Sequence, residues 1–211
     1  MNKKRCIIVT AYGISNIKKL IETRESDLII CADGGYTFAN LEDIIPDVVI
    51  GDFDSYSGDL DSIKCKSLVQ VPIEKDDTDT LLCVKYALKQ HYKDFIILGG
   101  LGGRLDHTIA NLQAMAYICD QGAQSTLVDN RNFVTMLGQG ELLIPRKKDQ
   151  KLSLLAFSEK CTGVSISGVQ YPLNNVTLKN NFPLGISNEF TSDYATIKNG
   201  SGKLLVILTK D

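Results

Sequence analysis

The chain has no tryptophan, only two histidines and only five prolines in 211 residues. With so few histidines, a histidine-built metal centre or a Ser/His/Asp or Cys/His nucleophilic arrangement is not expected. His91 falls at the end of a helical stretch, where solvation is the simplest role. His107 follows Asp106, and a structural role is the stronger reading there than a general base. The six cysteines (Cys6, Cys31, Cys65, Cys83, Cys119 and Cys161) include no close pair at zinc-ligand spacing. Buried thiols in a reducing cytosol are therefore expected. No apolar run is long enough for a membrane span, and Met1–Val9 reads as a basic start running into a strand rather than a signal peptide. A cationic excess is also missing: 23 Lys and Arg face 25 Asp and Glu, a formal net charge of −2. That balance argues against nucleic acid as a partner.

What is present is an ordinary soluble composition, 44% hydrophobic and 23% charged. It is arranged in two styles. In the first part, short apolar runs at Cys6–Thr10, Asp27–Ala32, Val48–Ile50, Phe95–Gly99 and Thr126–Val128 read as buried parallel strands. Helices are expected between them over Ile14–Glu22, Thr78–His91 and Thr108–Asp120. The second has Leu81, Leu82, Lys85 and Leu88 on one face and Thr78 or Asp77 as cap. The third has Ile109, Leu112, Ala116 and Cys119 on one face. After about residue 135 only strand-like runs remain: Glu141–Ile144, Leu152–Phe157, Thr162–Ser167, Asn175–Leu178, Ala195–Lys198 and Leu204–Thr209, separated by Gly, Pro and Asn clusters. The expectation is an α/β domain over residues 1–135 with a mostly parallel sheet flanked by helices. A small all-β domain, a sandwich or barrel, follows over 136–211. A unit of about 70 residues is marginal alone, so it should pack on the first domain or on another subunit.

The aspartates of the first part stand where strands end. Asp33 follows one strand, in Asp33-Gly34-Gly35. Asp52 and Asp54 follow another, in Gly51-Asp52-Phe53-Asp54-Ser55. Asp76, Asp77 and Asp79 precede the Thr78 helix, and Asp106 precedes the next. In open α/β sheets the ligand crevice lies beyond the carboxyl ends of the strands. Carboxylates gathered there repel one another unless a cation joins them, and a hard ion such as Mg²⁺ suits carboxylates, water and phosphate oxygens. Taken alone, Asp52-Phe53-Asp54 divides evenly between turn and site, and Asp77 and Asp79 read as helix caps. The repetition after several strands favours a site. The loop Gly99-Gly100-Leu101-Gly102-Gly103-Arg104 adds a backbone that a ligand can approach closely and a guanidinium suited to phosphate, ahead of a helix N-terminus. It is neither a P-loop nor a dinucleotide fingerprint.

These motifs, with Lys75-Asp76-Asp77-Thr78-Asp79 and Gly185-Ile186-Ser187-Asn188-Glu189, stand in an order that resembles the thiamine pyrophosphokinase family over nearly the whole chain. The resemblance implies transfer of the pyrophosphoryl group of ATP to the hydroxyethyl oxygen of thiamine, giving thiamine diphosphate and AMP. It implies Mg²⁺, a cytoplasmic homodimer, and thiamine held between the α/β domain of one subunit and the β domain of the other. Carried onto this chain, it implies Asp52, Asp54 and Asp79 as metal or phosphate-site residues, with Arg104 and Asp106 also catalytic. Asp33, Gly34, Lys75, Gly100, Gly102, Gly103 and Arg104 would hold ATP, and Ser187 and Asn188 thiamine. The base for the thiamine hydroxyl would be Asp79 or Asp54. Some family members stack a tryptophan on thiamine. Here the matching loop is Tyr171-Pro172-Leu173-Asn174-Asn175, which leaves Tyr171 or Phe190 for that part. Ser187-Asn188 also reads as a β-turn. Two other functions fit the carboxylates alone: a Mg²⁺-dependent nucleotide phosphohydrolase, and a non-catalytic sensor of thiamine or nucleotide.

Overall fold

The computed structural model describes residues 4–12, 15–54 and 58–210, so Ile14 and Ser55 of the expected elements lie outside the described residues. By its contacts the chain divides into two units, Met1–Asn130 and Arg131–Asp211.

The first unit is built on strands β1 (Arg5–Val9), β2 (Leu28–Ala32), β3 (Val48–Gly51), β4 (Ser67–Gln70), β5 (Asp94–Leu98) and β6 (Gln124–Val128). All pair in parallel, in the order β6-β5-β1-β2-β3-β4. Every residue of β1 is buried, as a strand covered on both faces requires. Among the described residues four α-helices, α1 (Ile17–Leu20), α2 (Gly35–Leu41), α3 (Asp79–Lys89) and α4 (Leu105–Asp120), and a 3-10 turn at Leu60–Ser62 lie between the strands. Ile7, Val9, Cys31 and Val49 pack with Ile17, Tyr36, Ala39 and Phe53 into one core. At the foot of the sheet, Arg5 grips the buried Asp27 through Nε (3.1 Å) and Nη2 (2.6 Å). Its Nη2 also donates to the Glu22 carbonyl (2.8 Å), so this buried pair is hydrogen-bonded on several sides. From β1 the chain adds β2, β3 and β4 on one side, then returns to place β5 and β6 on the other. The order therefore reverses between β1 and β5, and there the loops leaving the two strands part to leave a crevice.

The structure corrects the sequence reading in several places. Helix α1 is much shorter than Ile14–Glu22. In α3 the buried stripe is Thr80, Cys83, Val84 and Ala87, one step round from the expected leucine face, because α3 packs against β1, β2 and β3 and against α4. In α4 the buried residues are Asn111, Ala114, Met115, Ala116 and Ile118, and the helix starts at Leu105, a turn before Thr108. Helix α2 and strand β4 had no expected counterpart: α2 opens on Gly34-Gly35, which reads as a turn, and β4 is an almost wholly exposed edge strand without an apolar pattern.

The second unit is all β: β7 (Asn132–Leu137), β8 (Gly140–Pro145), β9 (Lys151–Ala156), β10 (Lys160–Ser167), β11 (Leu173–Lys179), β12 (Gly185–Asn188), β13 (Tyr194–Asn199) and β14 (Leu204–Thr209). Its strands pair antiparallel in two sets, β12-β9-β14-β7 and β11-β10-β13-β8. Leu152, Leu154, Leu204 and Val206 of one set pack with Ile144, Val164, Ile166, Leu178 and Ile197 of the other, the inner faces of a sandwich. The side chain of Asn199 seals one end by donating to the carbonyls of Leu137, Gly138 and Gly202. Strands β7 and β12 were absent from the sequence reading. In β12 the register with β9 shifts between Gly185 and Asn188, so its Ser-Asn pair carries a turn-like backbone inside a strand.

Candidate active site

The loops that leave β1 and β5 line a cavity of about 750 Å³ together with residues after β2 and at the starts of α3 and α4. Asp33, Gly34, Asp79, Gly100, Gly102, Gly103 and Arg104, all expected from sequence, reach it. Thr10, Tyr12, Thr78, Thr80, His107, Ala110 and Asn111 line it as well.

The glycine loop is shaped from α4. The Asn111 amide donates to the Gly100 carbonyl (2.9 Å), and the Gly102 N–H donates to Thr108 Oγ1 (3.1 Å). Thr108 and Asn111 are three residues apart, so one face of α4 holds both ends of the loop. The Gly100 N–H donates to the Tyr12 carbonyl (2.8 Å). Gly100 has φ +83°, and a Cβ there would stand 2.4 Å from Asn111 Nδ2; at Gly103 it would meet the Tyr12 ring at 2.7 Å. The N–H groups of Gly100 and Gly102 thus hold the loop's own shape, and those of Leu101, Gly103 and Arg104 have no partner among the described residues. Arg104, expected to grip phosphate, is paired with Asp106: Nη2 donates at 2.6 Å and Nε at 3.2 Å. Both side chains are exposed at the lip of the cavity. Arg104 holds the Asp106 carboxyl below the ordinary carboxylate range.

The carboxylates gather beside this cavity. Asp33 has a left-handed backbone (φ 44°), its N–H donates to the Ile50 carbonyl (2.8 Å), and its Oδ1 accepts from the Phe53 N–H (3.2 Å). Gly51 makes room for it, since a Cβ there would lie 2.8 Å from Asp33 Oδ1. Phe53 is itself left-handed and buried, so its ring anchors the loop while Asp52 and Asp54 flank it. Asp52 Oδ1 accepts from the Asp54 N–H (3.2 Å).

Lys75 sits among these acids. Its Nζ donates to Asp52 Oδ2 at 2.5 Å and stands 3.0 Å from Asp79 Oδ1, with the Lys75 and Asp52 side chains only 15% and 12% exposed. The contact to Asp79 has the distance of an ion pair without hydrogen-bond geometry, so Asp79 Oδ1 is a buried carboxylate oxygen lacking a hydrogen bond. Burial works against the Lys75 charge, yet Asp52 and Asp79 outweigh it and hold its pKa above the ordinary value. The hydrogen bond from Lys75 is the main reason the Asp52 carboxyl lies below its usual range. Asp33 shifts the other way: burial, with repulsion from Asp79 and Asp52, raises it against the N–H groups of Gly34 and Phe53. One ammonium thus pairs with two carboxylates, and a third, Asp33, is repelled by both.

The chemistry of this donor set suits a hard cation: oxygen donors, excess negative charge and a carboxylate oxygen with no hydrogen bond. Among the described residues no group of three or more His, Cys, Asp or Glu forms a ready-made metal cage.

Ser187 and Asn188 lie in the second unit, beside a smaller cavity of about 250 Å³ walled mainly by Leu152, Leu154, Ile166, Leu184 and Ile186. Ser187 is left-handed (φ 59°), and its N–H donates to Ser153 Oγ (2.9 Å). Asn188 is buried, and its amide is engaged with the backbone of Tyr171. Phe190 pairs with Val169 and packs on the core.

Sequence reasoning missed Thr10, Tyr12, Thr108, Asn111 and Ser153. Asn111 carried the clearest signal, a polar residue on an otherwise apolar helix face one element after a glycine loop.

Residues 18–127 match the family model described as thiamin pyrophosphokinase, catalytic domain. Residues 141–204 match the one described as thiamin pyrophosphokinase, vitamin B1 binding domain. Thiamine pyrophosphokinase of Bacillus subtilis is 31% identical over 193 residues, 90% of each chain. Its crystal structure superposes with a TM-score of 0.85, covering 99% of this chain and 100% of the other. Thiamin pyrophosphokinase 1 of Caenorhabditis elegans is 29% identical across 77% of this chain and 70% of its own. With both family domains matched in order and a relative above 30% identity along nearly its full length, the chain belongs to the thiamin pyrophosphokinase family, enzymes that transfer a pyrophosphoryl group from ATP to thiamine.

Proposed function

We propose that the chain makes thiamine diphosphate and AMP from thiamine and ATP, using the 750 Å³ cavity and its acidic rim. The observation that carries the residue assignment is the pairing of Lys75 with Asp52 and Asp79, with Asp33 near those two carboxylates, beside the cavity that Asp33, Asp79 and the Gly100–Arg104 loop line. The triphosphate lies along Gly100, Gly102 and Gly103, close to their backbone because no side chain intervenes, and near the positive end of α4. Arg104 turns from Asp106 to the phosphates, and Asp106 keeps it at the lip. Asp33 and Gly34 line the ATP side. Carboxylates drawn from Asp52, Asp54 and Asp79 would hold Mg²⁺, which would neutralise phosphate charge there. Lys75 supplies a second positive charge beside the same oxygens.

The hydroxyethyl oxygen of thiamine attacks the β-phosphorus, the bond to the α–β bridging oxygen breaks, and AMP leaves. The hydroxyl proton passes to a carboxylate of the rim, Asp79 or Asp54. Positioning and charge neutralisation carry most of the rate in such transfers. Thiamine is bound by the β unit beside the 250 Å³ cavity, where Ser187, Asn188 and the Tyr171 loop come together. We take the working form to be a homodimer in the cytoplasm. Exposed Leu143, Phe182, Leu184 and Tyr194 on the β unit favour a partner surface, and six cysteines outside any disulfide among the described residues suit a reducing compartment.

The test is Asp52→Asn. It should lose most AMP production with ATP, Mg²⁺ and thiamine while its melting temperature stays close to that of the unchanged protein. Full activity in that variant would remove Asp52 from the mechanism. ATP cleavage independent of thiamine would make the chain a phosphohydrolase, and tight binding of both ligands without turnover would make it a sensor.

A further inference from the structure

Asn188 is only 8% exposed, and its side chain is committed. Oδ1 accepts from the N–H of Tyr171 (3.0 Å) and of Glu189 (3.1 Å), and Nδ2 donates to the carbonyl of Tyr171 (2.8 Å). Both lone pairs of the amide oxygen are used. The amide pairs with Tyr171 at both its N–H and its C=O, as a neighbouring strand would. The surroundings explain why a side chain takes that place. Val169 bridges Phe190, and the Gln170 N–H donates to the Glu189 carbonyl (2.9 Å). One step further the backbone at Ser187 turns left-handed, and residue 188 is ladder-paired with Leu152 of β9. The backbone of Asn188 therefore serves β9, and its side chain carries the pairing on to Tyr171.

Tyr171 is the aromatic side chain that lines the 250 Å³ cavity and is 66% exposed, so little packing fixes it. A cavity of that size is below the range of roughly 300–1,000 Å³ that encloses a drug-sized ligand. It suits one ring of a ligand, with a second ring laid over it from the rim.

We infer that Asn188 is a positioning residue: it acts on thiamine through Tyr171, clamping the backbone of residue 171 so that the phenol ring covers a heterocycle seated in the cavity. This rests on the proposed activity only in naming the ligand. An alternative role for Asn188, direct contact with thiamine, makes a different prediction for the double variant.

Tyr171→Ala should raise KM for thiamine about three- to tenfold, the scale of one lost aromatic contact, with KM for ATP and kcat little changed. Asn188→Ala should raise it by a similar factor. The double variant should be no worse than Tyr171→Ala, because a clamp with nothing to hold has no effect. Multiplying effects would overturn the inference and return Asn188 to direct contact. A second readout needs no turnover. Because the chain has no tryptophan, Tyr171→Trp places a single reporter on the loop. Its steady-state anisotropy should fall when Asn188→Ala is added; an unchanged anisotropy refutes the clamp. If Asn188→Ala does not fold, Asn188→Asp, which keeps the acceptor and loses the donor, is read in the same two assays. Absence of thiamine diphosphate from the unchanged protein would overturn the activity, and the anisotropy would still decide the clamp.

Discussion

Replacing Gly100 by alanine tests how α4 builds the phosphate loop, and its cost has two parts. The backbone at Gly100 has φ +83°, which costs an L-residue about 1–2 kcal/mol. The new Cβ would stand 2.4 Å from Asn111 Nδ2 and 3.3 Å from Thr10 Oγ1, so the buried amide must swing away. That breaks its 2.9 Å bond to the Gly100 carbonyl and strands two buried polar groups, about 1–3 kcal/mol. The sum, roughly 2–5 kcal/mol, lowers the melting temperature by roughly 4–20 °C at this chain length. Calorimetry should follow the transition that ATP shifts upward. Asn111→Ala loses the same hydrogen bond but relieves the clash, so Gly100→Ala in that background should cost only the backbone part. The coupling between the two changes should then be about 1–3 kcal/mol. Strictly additive costs would show that Asn111 does not shape the loop, and the account of α4 as its scaffold would fail.

Three further outcomes follow from the site. Arg104→Ala should raise KM for ATP and leave KM for thiamine and the melting temperature nearly unchanged, because the Arg104–Asp106 pair is solvent-exposed; a large loss of stability would make the pair structural. Asp33 has a folded pKa above its ordinary value, so its contribution to stability is complete below that ordinary value and is lost as pH rises through the folded one. Asp33→Asn should therefore melt higher than the unchanged protein at pH 7 without Mg²⁺ or nucleotide, with the gap closing toward acid, and a gap that widens toward acid would contradict the assigned repulsion. Burial pushes the thiols of Cys6, Cys31 and Cys83 far above their ordinary range. They should resist alkylation at pH 8 in the folded protein and react once it is unfolded, as peptide mass spectrometry would record; labelling of Cys83 in the folded state would place it elsewhere than the α3 core.

Much of this was legible in the sequence because parallel strands buried on both faces write continuous apolar runs, as β1, β2 and β5 do. The order of aspartates after those runs carried the site, since the fold brings strand ends together whatever the loop details. Pairwise geometry was not legible. That Lys75 lies between Asp52 and Asp79 depends on a loop conformation, and that Arg104 turns to Asp106 depends on two side-chain rotamers. The helix faces were misjudged for a related reason. Leu81, Leu82 and Leu88 are apolar, but α3 lies on a sheet that admits small side chains such as Cys83 and Ala87. Strand β4 had no signal, since an exposed edge needs no apolar pattern. Strand β12 read as a turn because Ser187 has a turn residue's backbone inside a ladder.

The central claim is a single transfer of a pyrophosphoryl group, and phosphorus NMR of one mixture tests it most directly. With ATP, Mg²⁺ and thiamine, AMP and thiamine diphosphate should grow in equal amounts, neither forming when thiamine is withheld. ADP appearing with thiamine monophosphate, or AMP accumulating without thiamine diphosphate, would contradict it.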